Sequence, residues 1–336
     1  MIWLTWRQHR AEARTGGLVV LAVAAALVVI GLRLRATARE VGLATCLQAD
    51  GGCGAAYARL HHDYHWLPPA ATGLIGLPLL AGMFWGAPLI AREIEGGTHR
   101  VAWTQSVTRL RWVSTQLGLV LAVSVAVALG LGLLSGWALA PLTPAFGPRL
   151  GGNWFDIQGL APAGYVLFAV ALGAAIGALT RRAIPAMAVT LAGFVAARVY
   201  FHISRRSFLP SSRHTVDFPM STLFANPTGV DPIPGPGLSG ENVVLHATIL
   251  GPAGGDPGPM TTDLLRPYCP ASAIHGREID STCLAKVAHV QMHVVYDYLP
   301  ASQFWTLQVI EGLIFAGIAT VLTAVCITVV VRTRHT

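Results

Sequence analysis

The sequence predicts an all-α polytopic membrane protein with six transmembrane helices, cytoplasmic N- and C-termini, and a small extracellular α/β or β-containing subdomain between helices 5 and 6. The chain of 336 residues is 53% hydrophobic and only 12% charged, whereas about 25% of the residues in a soluble domain are charged. A run of roughly 17–25 apolar residues crosses the hydrocarbon core as a helix. Six stretches fit this pattern, namely 17–32, 70–90, 113–140, 161–179, 184–203 and 304–331.

The distribution of basic residues orients these predicted helices. With the N-terminus inside, Arg is concentrated in the short cytoplasmic segments, as the positive-inside rule requires. Arg33, Arg35 and Arg39 fall on the other side and oppose this orientation at the first helix. The net charge of +7 therefore follows mainly from topology and indicates no nucleic-acid partner. The inside segments are 1–16, 92–112, 180–183 and 332–336.

Residues 1–16 combine aromatic and basic side chains. Trp3 and Trp6 favour the headgroup level, and the arginines that follow favour anionic lipid. We expect a cytoplasmic interfacial helix that contacts membrane lipid; the alternative is an unstructured start with interfacial anchors. The predicted layout is then 1–16, helices 1–5 over 17–203, the extracellular subdomain 204–303, and helix 6 with its tail over 304–336.

Four of the five cysteines lie in predicted outside loops. An even number in an oxidising space indicates disulfides. The local pairing joins Cys46 to Cys53 and Cys269 to Cys283, one of three possible connectivities; the alternative is four free thiols. Cys326 lies inside the last predicted helix, where a thiol acts as a small hydrophobe.

The loop 204–303 is long enough for a small subdomain but not for a large independent core. The stretches 242–250 and 287–298 alternate like strands of a small sheet, although the second also fits a helix. His289 and His293 stand four residues apart with no third ligand near them in the sequence. We therefore predict no metal site there, nor among the histidines of 61–65, whose adjacent side chains rarely converge on one ion.

Two charged residues fall inside predicted helices. Arg198 lies near the outer end of the fifth and Glu311 lies at similar depth in the sixth. A charge in the membrane interior costs about 2.5–3.5 kcal/mol on insertion scales, so such residues usually pair or face a cavity. We expect an Arg198–Glu311 pair, which either brackets a transport path as a gate or fixes the two helices as a brace.

Small residues recur at helix-packing spacing within the predicted helices. A GxxxG step lets two helix backbones approach closely, so these motifs favour a tightly packed bundle or dimer over isolated anchors. The three steps are Gly82 with Gly86, Gly132 with Gly136, and Gly173 with Gly177.

Sequence motifs for catalysis and for nucleotide binding are missing. The chain has no GxxxxGK[ST] loop, no HExxH and no GxSxG. We predict that it is not an enzyme and that any energy reaches it through a partner. The loop 91–112 is the longest of the predicted inside segments. It carries Glu93, Glu95, Arg109 and Arg111. The alternative interpretation of that loop is a solvated linker with interfacial anchors.

The chain resembles ABC transporter permeases of the type-2 exporter class, in a form common in high-GC Gram-positive bacteria. The resemblance covers the six-helix layout and its main outside loop. The segments that carry it are AREIEGGT at 91–98, WTQSVTR at 103–109, WRQHR at 6–10 and PASQFW at 300–305.

The resemblance implies a coupling helix in the loop 91–112 that docks on a separate cytoplasmic ABC ATPase subunit. The docking residues would be Glu93, Glu95, Gly97 and Thr98. ATP and Mg would be bound by that partner, with no cofactor in this chain, and a second permease subunit would complete a homodimer. The implied function is export of an amphiphilic small molecule or peptide across the bacterial plasma membrane.

Two rival functions remain at this point. The first is a non-transport membrane protein whose extracellular loop senses a ligand or binds a partner. The second is a membrane enzyme with a site in the loop 204–303, which the missing catalytic motifs disfavour.

Overall fold

The computed structural model describes residues 2–48, 53–96, 108–205, 208–224, 242–255, 265–275 and 278–332. The chain divides into two compact units. The helical unit comprises Met1–Phe208 and Phe304–Thr336, and the sheet unit comprises Leu209–Gln303.

Six helices in the described part of the chain are long and apolar enough to cross a membrane. They confirm the six helices predicted from the sequence. Which side of the membrane holds the termini stays a prediction, as does an interfacial position for 1–16. Residues 2–16 are helical and continuous with the first span, because one helix runs over Ile2–Glu40. We call the six, in chain order, spans 1 to 6: Arg14–Glu40, Leu67–Glu95, Arg109–Leu142, Ala161–Thr180, Ala183–Ser204 and Ala301–Arg332.

Span 2 is built from four consecutive helical pieces. They are Leu67–Leu74, Gly76–Ala81, a π-helical turn at Gly82–Gly86, and Ala87–Glu95. A π turn inserts one extra residue per turn into a helix and often marks a functional position. Here it contains both glycines of the first GxxxG step.

The remaining spans are simpler. Span 3 is the helix Arg109–Leu139 with a 3-10 extension at Ala140–Leu142, and it starts where the Thr108 hydroxyl accepts a hydrogen bond from Arg111 N. Span 6 is the helix Phe304–Arg332 after a 3-10 turn at Ala301–Gln303. Short helices connect the spans, at Leu43–Gln48, Gly54–Tyr64, Thr143–Phe146 and Trp154–Ile157.

Span 4 is the central helix of the helical unit. In its most apolar stretch 72% of the residues are buried inside the protein, whereas the corresponding share is 22% in spans 5 and 6. Spans 2, 3, 5 and 6 pack around span 4, and span 1 packs against span 3. Spans 1, 3, 5 and 6 turn most of their apolar surface outward, as expected for helices that face lipid.

Glycines on span 2 bring its backbone against span 4. A Cβ atom on Gly82 would lie 2.6 Å from Ala169 O, and one on Gly86 would lie 2.7 Å from Val170 O. Real Cβ atoms essentially never come so close to another heavy atom, so a larger residue would push the two backbones apart.

Span 4 meets span 2 with its own pair of glycines. A Cβ atom on Gly173 would lie 2.6 Å from Ala87 N, and one on Gly177 would clash with Ala87 O. Two of the three predicted GxxxG steps therefore face each other within one chain. In the third, Gly132 approaches the backbone of Gly159, whose N–H donates to Gly132 O at 2.9 Å.

The strands of the sheet unit are β1 at Ser212–Pro219, β2 at Val243–Leu250, β3 at Ile274–His275, β4 at Glu278–Ile279 and β5 at Gln291–Leu299. Three of them form an antiparallel sheet in the order β1-β5-β2. The strand predicted at 242–250 is β2, and the ambiguous stretch 287–298 is a strand over most of its length rather than a helix. Strand β1 was not predicted. The described residues of this unit also form a two-stranded β3-β4 pair, the helix Ser281–Val287 and 3-10 turns at Met220–Phe224 and Ala271–Ala273.

One face of β5 supplies the core of the sheet unit. Met292, Val294 and Tyr296 alternate on this face and are buried against residues such as Phe218. The intervening residues face outward, where Asp297 accepts a hydrogen bond from Arg213 Nε at 3.0 Å. The alternation explains why the strand interpretation of this stretch is correct.

Both local disulfides are present in the structure. Cys46 and Cys53 are joined with their Cα atoms 5.5 Å apart, and Cys269 and Cys283 with theirs 5.6 Å apart. The second bridge lies inside the core of the sheet unit, since both of its cysteines are buried there. Cys326 is a buried free thiol in span 6.

Candidate functional site

Span 5 and the residue that directly follows it carry two buried arginines on one helix face. Arg198 and Arg205 are seven residues apart, which is close to two full helical turns. They are only 7% and 5% exposed. Such residues need partners, because an unpaired charge away from water is costly.

Glu311 of span 6 is the first partner and is completely buried. Arg198 Nη1 lies 3.0 Å from Glu311 Oε1, and Arg205 Nε lies 3.1 Å from Glu311 Oε2. The Arg198–Glu311 pair expected from the sequence is therefore present, and Glu311 also binds a second arginine.

Asp156 is the second partner and comes from the short helix Trp154–Ile157 between spans 3 and 4. Its Oδ2 lies 2.8 Å from Arg198 Nη2, and its Oδ1 accepts from Arg205 Nη2. Each arginine thus binds both acids. The two positive and two negative charges balance, so that no buried charge of the network lacks a partner of opposite sign.

Tyr165 of span 4 completes the cluster. Its hydroxyl lies 2.9 Å from Glu311 Oε1 and 3.2 Å from Asp156 Oδ1, and its single proton donates to one of them at a time. The Arg198 guanidinium lies 3.7 Å from the centroid of the Tyr165 ring, a cation–π contact. We call Asp156, Tyr165, Arg198, Arg205 and Glu311 the charge network.

Gln308 of span 6 holds the start of span 4 beside the network. Its Oε1 accepts from the backbone N–H groups of Leu160 at 2.9 Å and Ala161 at 2.6 Å. Its Nε2 donates to Phe155 O at 3.1 Å. The first N–H groups of a helix have no partner within the helix, so Gln308 caps span 4 from outside and ties it to span 6.

The charge network is enclosed by protein on nearly all sides. Of its neighbours, His202 reaches the surface, with Nδ1 3.7 Å from Asp156 Oδ2 and its side chain 47% exposed. A cleft of about 400 Å³ lies nearby, between the start of span 2 and the loop that ends at Trp154. No residue of the charge network lines that cleft. The network therefore joins helices, which fits a brace better than the lining of an open path.

Sequence reasoning identified Arg198 and Glu311 but missed Asp156, Tyr165 and Arg205. Arg205 carried a usable signal, since it repeats Arg198 after seven residues and extends the same helix face. Asp156 and Tyr165 carried none, because an acid in a connecting loop and a tyrosine near a helix start are ordinary in a membrane protein.

Of the predicted coupling residues, Glu95 contacts span 5 at the end opposite to the charge network. Gly97 and Thr98 fall outside the described residues, whereas Glu93 and Glu95 are described in the last turns of span 2. Glu95 Oε2 accepts a hydrogen bond from Ala183 N at 3.3 Å. Ala183 is the first residue of span 5, so this predicted docking residue has a contact within its own chain.

Comparison with known families matches residues 17–206 to the family described as "ABC-2 membrane transporter related". The matched region covers more than half of the chain. It contains nearly all of span 1, the whole of spans 2 to 5, Glu95 and all of the charge network except Glu311. No curated protein and no solved structure matches the chain.

Proposed function

The chain belongs to the ABC-2 membrane transporter related family, and on that premise we propose that it couples ATP hydrolysis by a separate ATPase subunit to export. Family and fold together make it a multi-pass permease subunit of an ABC transporter, consistent with a bacterial plasma membrane. The proposal adds the direction of transport, the docking surface and the assembly. The family match is the observation that carries it.

We propose that the ATPase docks on the segment 91–112, which comprises the end of span 2, the start of span 3 and the residues between them. Glu93 and Glu95 project from the last turns of this span, and Gly97 and Thr98 would continue the docking surface. Span 2 is packed backbone to backbone against span 4. A push on the loop would therefore move the central helix directly, without compressing flexible side chains between the two.

At the other end of the bundle, we propose that the charge network acts as a brace. It fastens the start of span 4, the end of span 5 and the start of span 6 to one another. Closure of two ATPases would rock the helices between inward- and outward-facing states around such fixed points. The protein would work as a homodimer and extrude an amphiphilic small molecule or peptide from the inner leaflet or cytoplasm.

Co-purification tests the proposal. The tagged permease would be co-expressed with the ATPase encoded beside it, and the complex would be isolated in detergent. We expect the ATPase to co-purify with stimulated ATP hydrolysis. The double charge reversal Glu93→Lys with Glu95→Lys should release it, because it replaces two negative charges of the proposed interface by two positive ones and so removes the charge complementarity of that interface.

A matched charge reversal in the sheet unit, Asp297→Lys, serves as the control and should keep the ATPase. Full retention of the ATPase by the Glu93 and Glu95 variant would show that the docking assignment is wrong. Failure of any ATPase to bind the unmodified permease would favour the alternative function, a membrane protein whose outer loop senses a ligand or binds a partner.

A further inference from the structure

We infer that Glu95 is a positioning residue that ties span 5 to the docking end of span 2, so that span 5 follows span 2 during the transport cycle. The inference rests on the proposed function for its role in coupling, but the tie itself is a property of the permease alone. It gives Glu95 a different task from Glu93, although the two stand only two residues apart.

The start of span 5 needs a partner from outside the helix. The first N–H groups of a helix have no acceptor within it, and its N-terminus carries a partial positive charge. The preceding residue, Arg182, makes no side-chain cap hydrogen bond among the described residues, and an arginine has no acceptor to offer. The Glu95 carboxylate supplies both an acceptor and a negative charge at Ala183 N.

The turn before span 5 is fixed independently of Glu95. Arg181 closes span 4 in the left-handed conformation with φ 56°, and its N–H donates to Gly177 O at 3.0 Å. A Cβ atom on Gly177 would lie 3.5 Å from Ala91 Cβ on span 2. The hairpin of spans 4 and 5 therefore sits directly on the last turns of span 2, where a small displacement of Glu95 is passed to Ala183.

Span 5 itself is attached to the bundle by a narrow stripe. Its buried residues recur every four positions, at Ala186, Thr190, Phe194 and Arg198, and the rest of its surface is largely outward-facing. Its 22 residues extend over roughly 33 Å at 1.5 Å per residue. Glu95 holds one end of this rod and the charge network holds the other, so span 5 connects the docking end to the brace.

A loss-of-acceptor series separates the tie from a docking contact. Glu95→Ala removes the acceptor, whereas Glu95→Gln keeps an oxygen that can accept from Ala183 N. Measured per molecule of ATPase that co-purifies, we expect permease-dependent stimulation of ATP hydrolysis to fall roughly two- to tenfold in Glu95→Ala, the range that one hydrogen bond supports. Glu95→Gln should retain most of the stimulation, and Glu93→Lys should lose the ATPase.

A second substitution distinguishes a link between spans 2 and 5 from a contact that only caps the N-terminus of span 5. Arg182→Ser in the Glu95→Ala background provides a local N-cap for span 5 but no link to span 2. Restored thermal stability without restored stimulation would support the tie. Full recovery of stimulation by Arg182→Ser would overturn it and leave Glu95 as a cap.

A distance measurement tests the tie in the permease alone. Spin labels would be placed on cysteines introduced at Phe84 of span 2 and Ile184 of span 5, which are 52% and 81% exposed. We expect one narrow distance distribution in the otherwise unmodified chain and in Glu95→Gln, and a broader one in Glu95→Ala. An unchanged distribution in Glu95→Ala would overturn the inference, whether or not an ATPase binds. Absence of ATPase binding with a broadened distribution would instead count against the proposed function and leave the tie standing.

Discussion

Arg205 Nε lies 3.1 Å from Glu311 Oε2, although the two residues are 106 positions apart in the chain. Arg205 directly follows span 5, and Glu311 stands in the second turn of the helix of span 6. The whole sheet unit lies between them in the sequence. The two helices that flank the sheet unit are thus fastened to each other within the helical unit.

Replacing Glu311 by Gln should destabilise the helical unit. The change leaves two buried arginines with one acid, and removing one partner of a buried ion pair costs about 3–5 kcal/mol. We expect a lower melting temperature and a lower yield of folded protein in detergent. The exposed arginine of the sheet unit, Arg213→Ala, is the control and should behave almost like the unmodified chain. Normal stability of Glu311→Gln together with altered transport would indicate a gate in place of a brace.

A compensating substitution should recover part of that loss. Arg205→Met in the Glu311→Gln background restores the balance of one arginine and one acid in the network. Because the two residues are in contact, the effects of the two substitutions on stability should not add. The melting temperature of the double variant should be higher than the value obtained by adding the decreases of the two single variants. Strict additivity in the melting temperatures would show that the two side chains do not interact in the protein.

Gly173→Ala should separate spans 2 and 4. Its new Cβ atom would meet Ala87 N and the Gly82 carbonyl, which are backbone atoms that cannot rotate away. Overpacking typically costs about 1–3 kcal/mol, and we expect a lower melting temperature and weaker stimulation of the partner ATPase. Gly118→Ala in span 3 is the matched control, since nothing lies within 4 Å of its added Cβ atom. Equal stability of the two variants would contradict the backbone contact.

Loss of the Cys269–Cys283 bridge should destabilise the sheet unit. The bridge spans 14 residues, and closing a loop of about 15 residues stabilises a fold by about 3 kcal/mol in the chain-entropy account. The double serine variant should be cut faster within 209–303 by a protease, whereas the spans should remain protected. Cleavage at the rate of the unmodified chain would show that the core around Met292 and Phe218 holds without it.

The ion pair on the outer face of the sheet should depend on pH in a defined direction. A hydrogen bond from Arg213 holds the pKa of Asp297 below its usual value. Its contribution to stability is therefore present above the usual aspartate pKa and is lost as the pH falls through the lowered one. Arg213→Ala should raise the midpoint of the Asp297 titration in ¹³C NMR, and the small stability difference between the two chains should vanish in acid. An unmoved midpoint would show that the pair does not form in solution.

The spans were predictable because membrane crossing requires long apolar stretches, and the Arg198–Glu311 pair because charges inside such stretches need partners. The GxxxG steps were visible in the sequence, but the sequence could not say that those at Gly82 and Gly173 face each other. Whether spans 2 and 4 become neighbours depends on where span 3, which lies between them in the sequence, places the start of span 4.

Features made by tertiary contacts were beyond the sequence. Asp156 joins the charge network from a connecting helix of four residues, which has no periodic pattern to reveal it. Strand β1 was missed because it becomes recognisable only when β5 pairs with it. The sequence assigned Glu95 to a surface for a partner protein. Only the structure shows that Glu95 also accepts a hydrogen bond from Ala183 N.

The salt links around Glu311 have a consequence for how this chain can be altered. Arg205 is held inside the helical unit by Glu311, and Phe304 is held there by the ring of Phe155. The chain therefore leaves the helical unit after one fixed residue and returns to it at another, with the sheet unit between them in the sequence. The sheet unit is thus an insertion between two helices that are bonded to each other. A chimaera that exchanges 209–303 for another compact module should therefore preserve the six-helix scaffold.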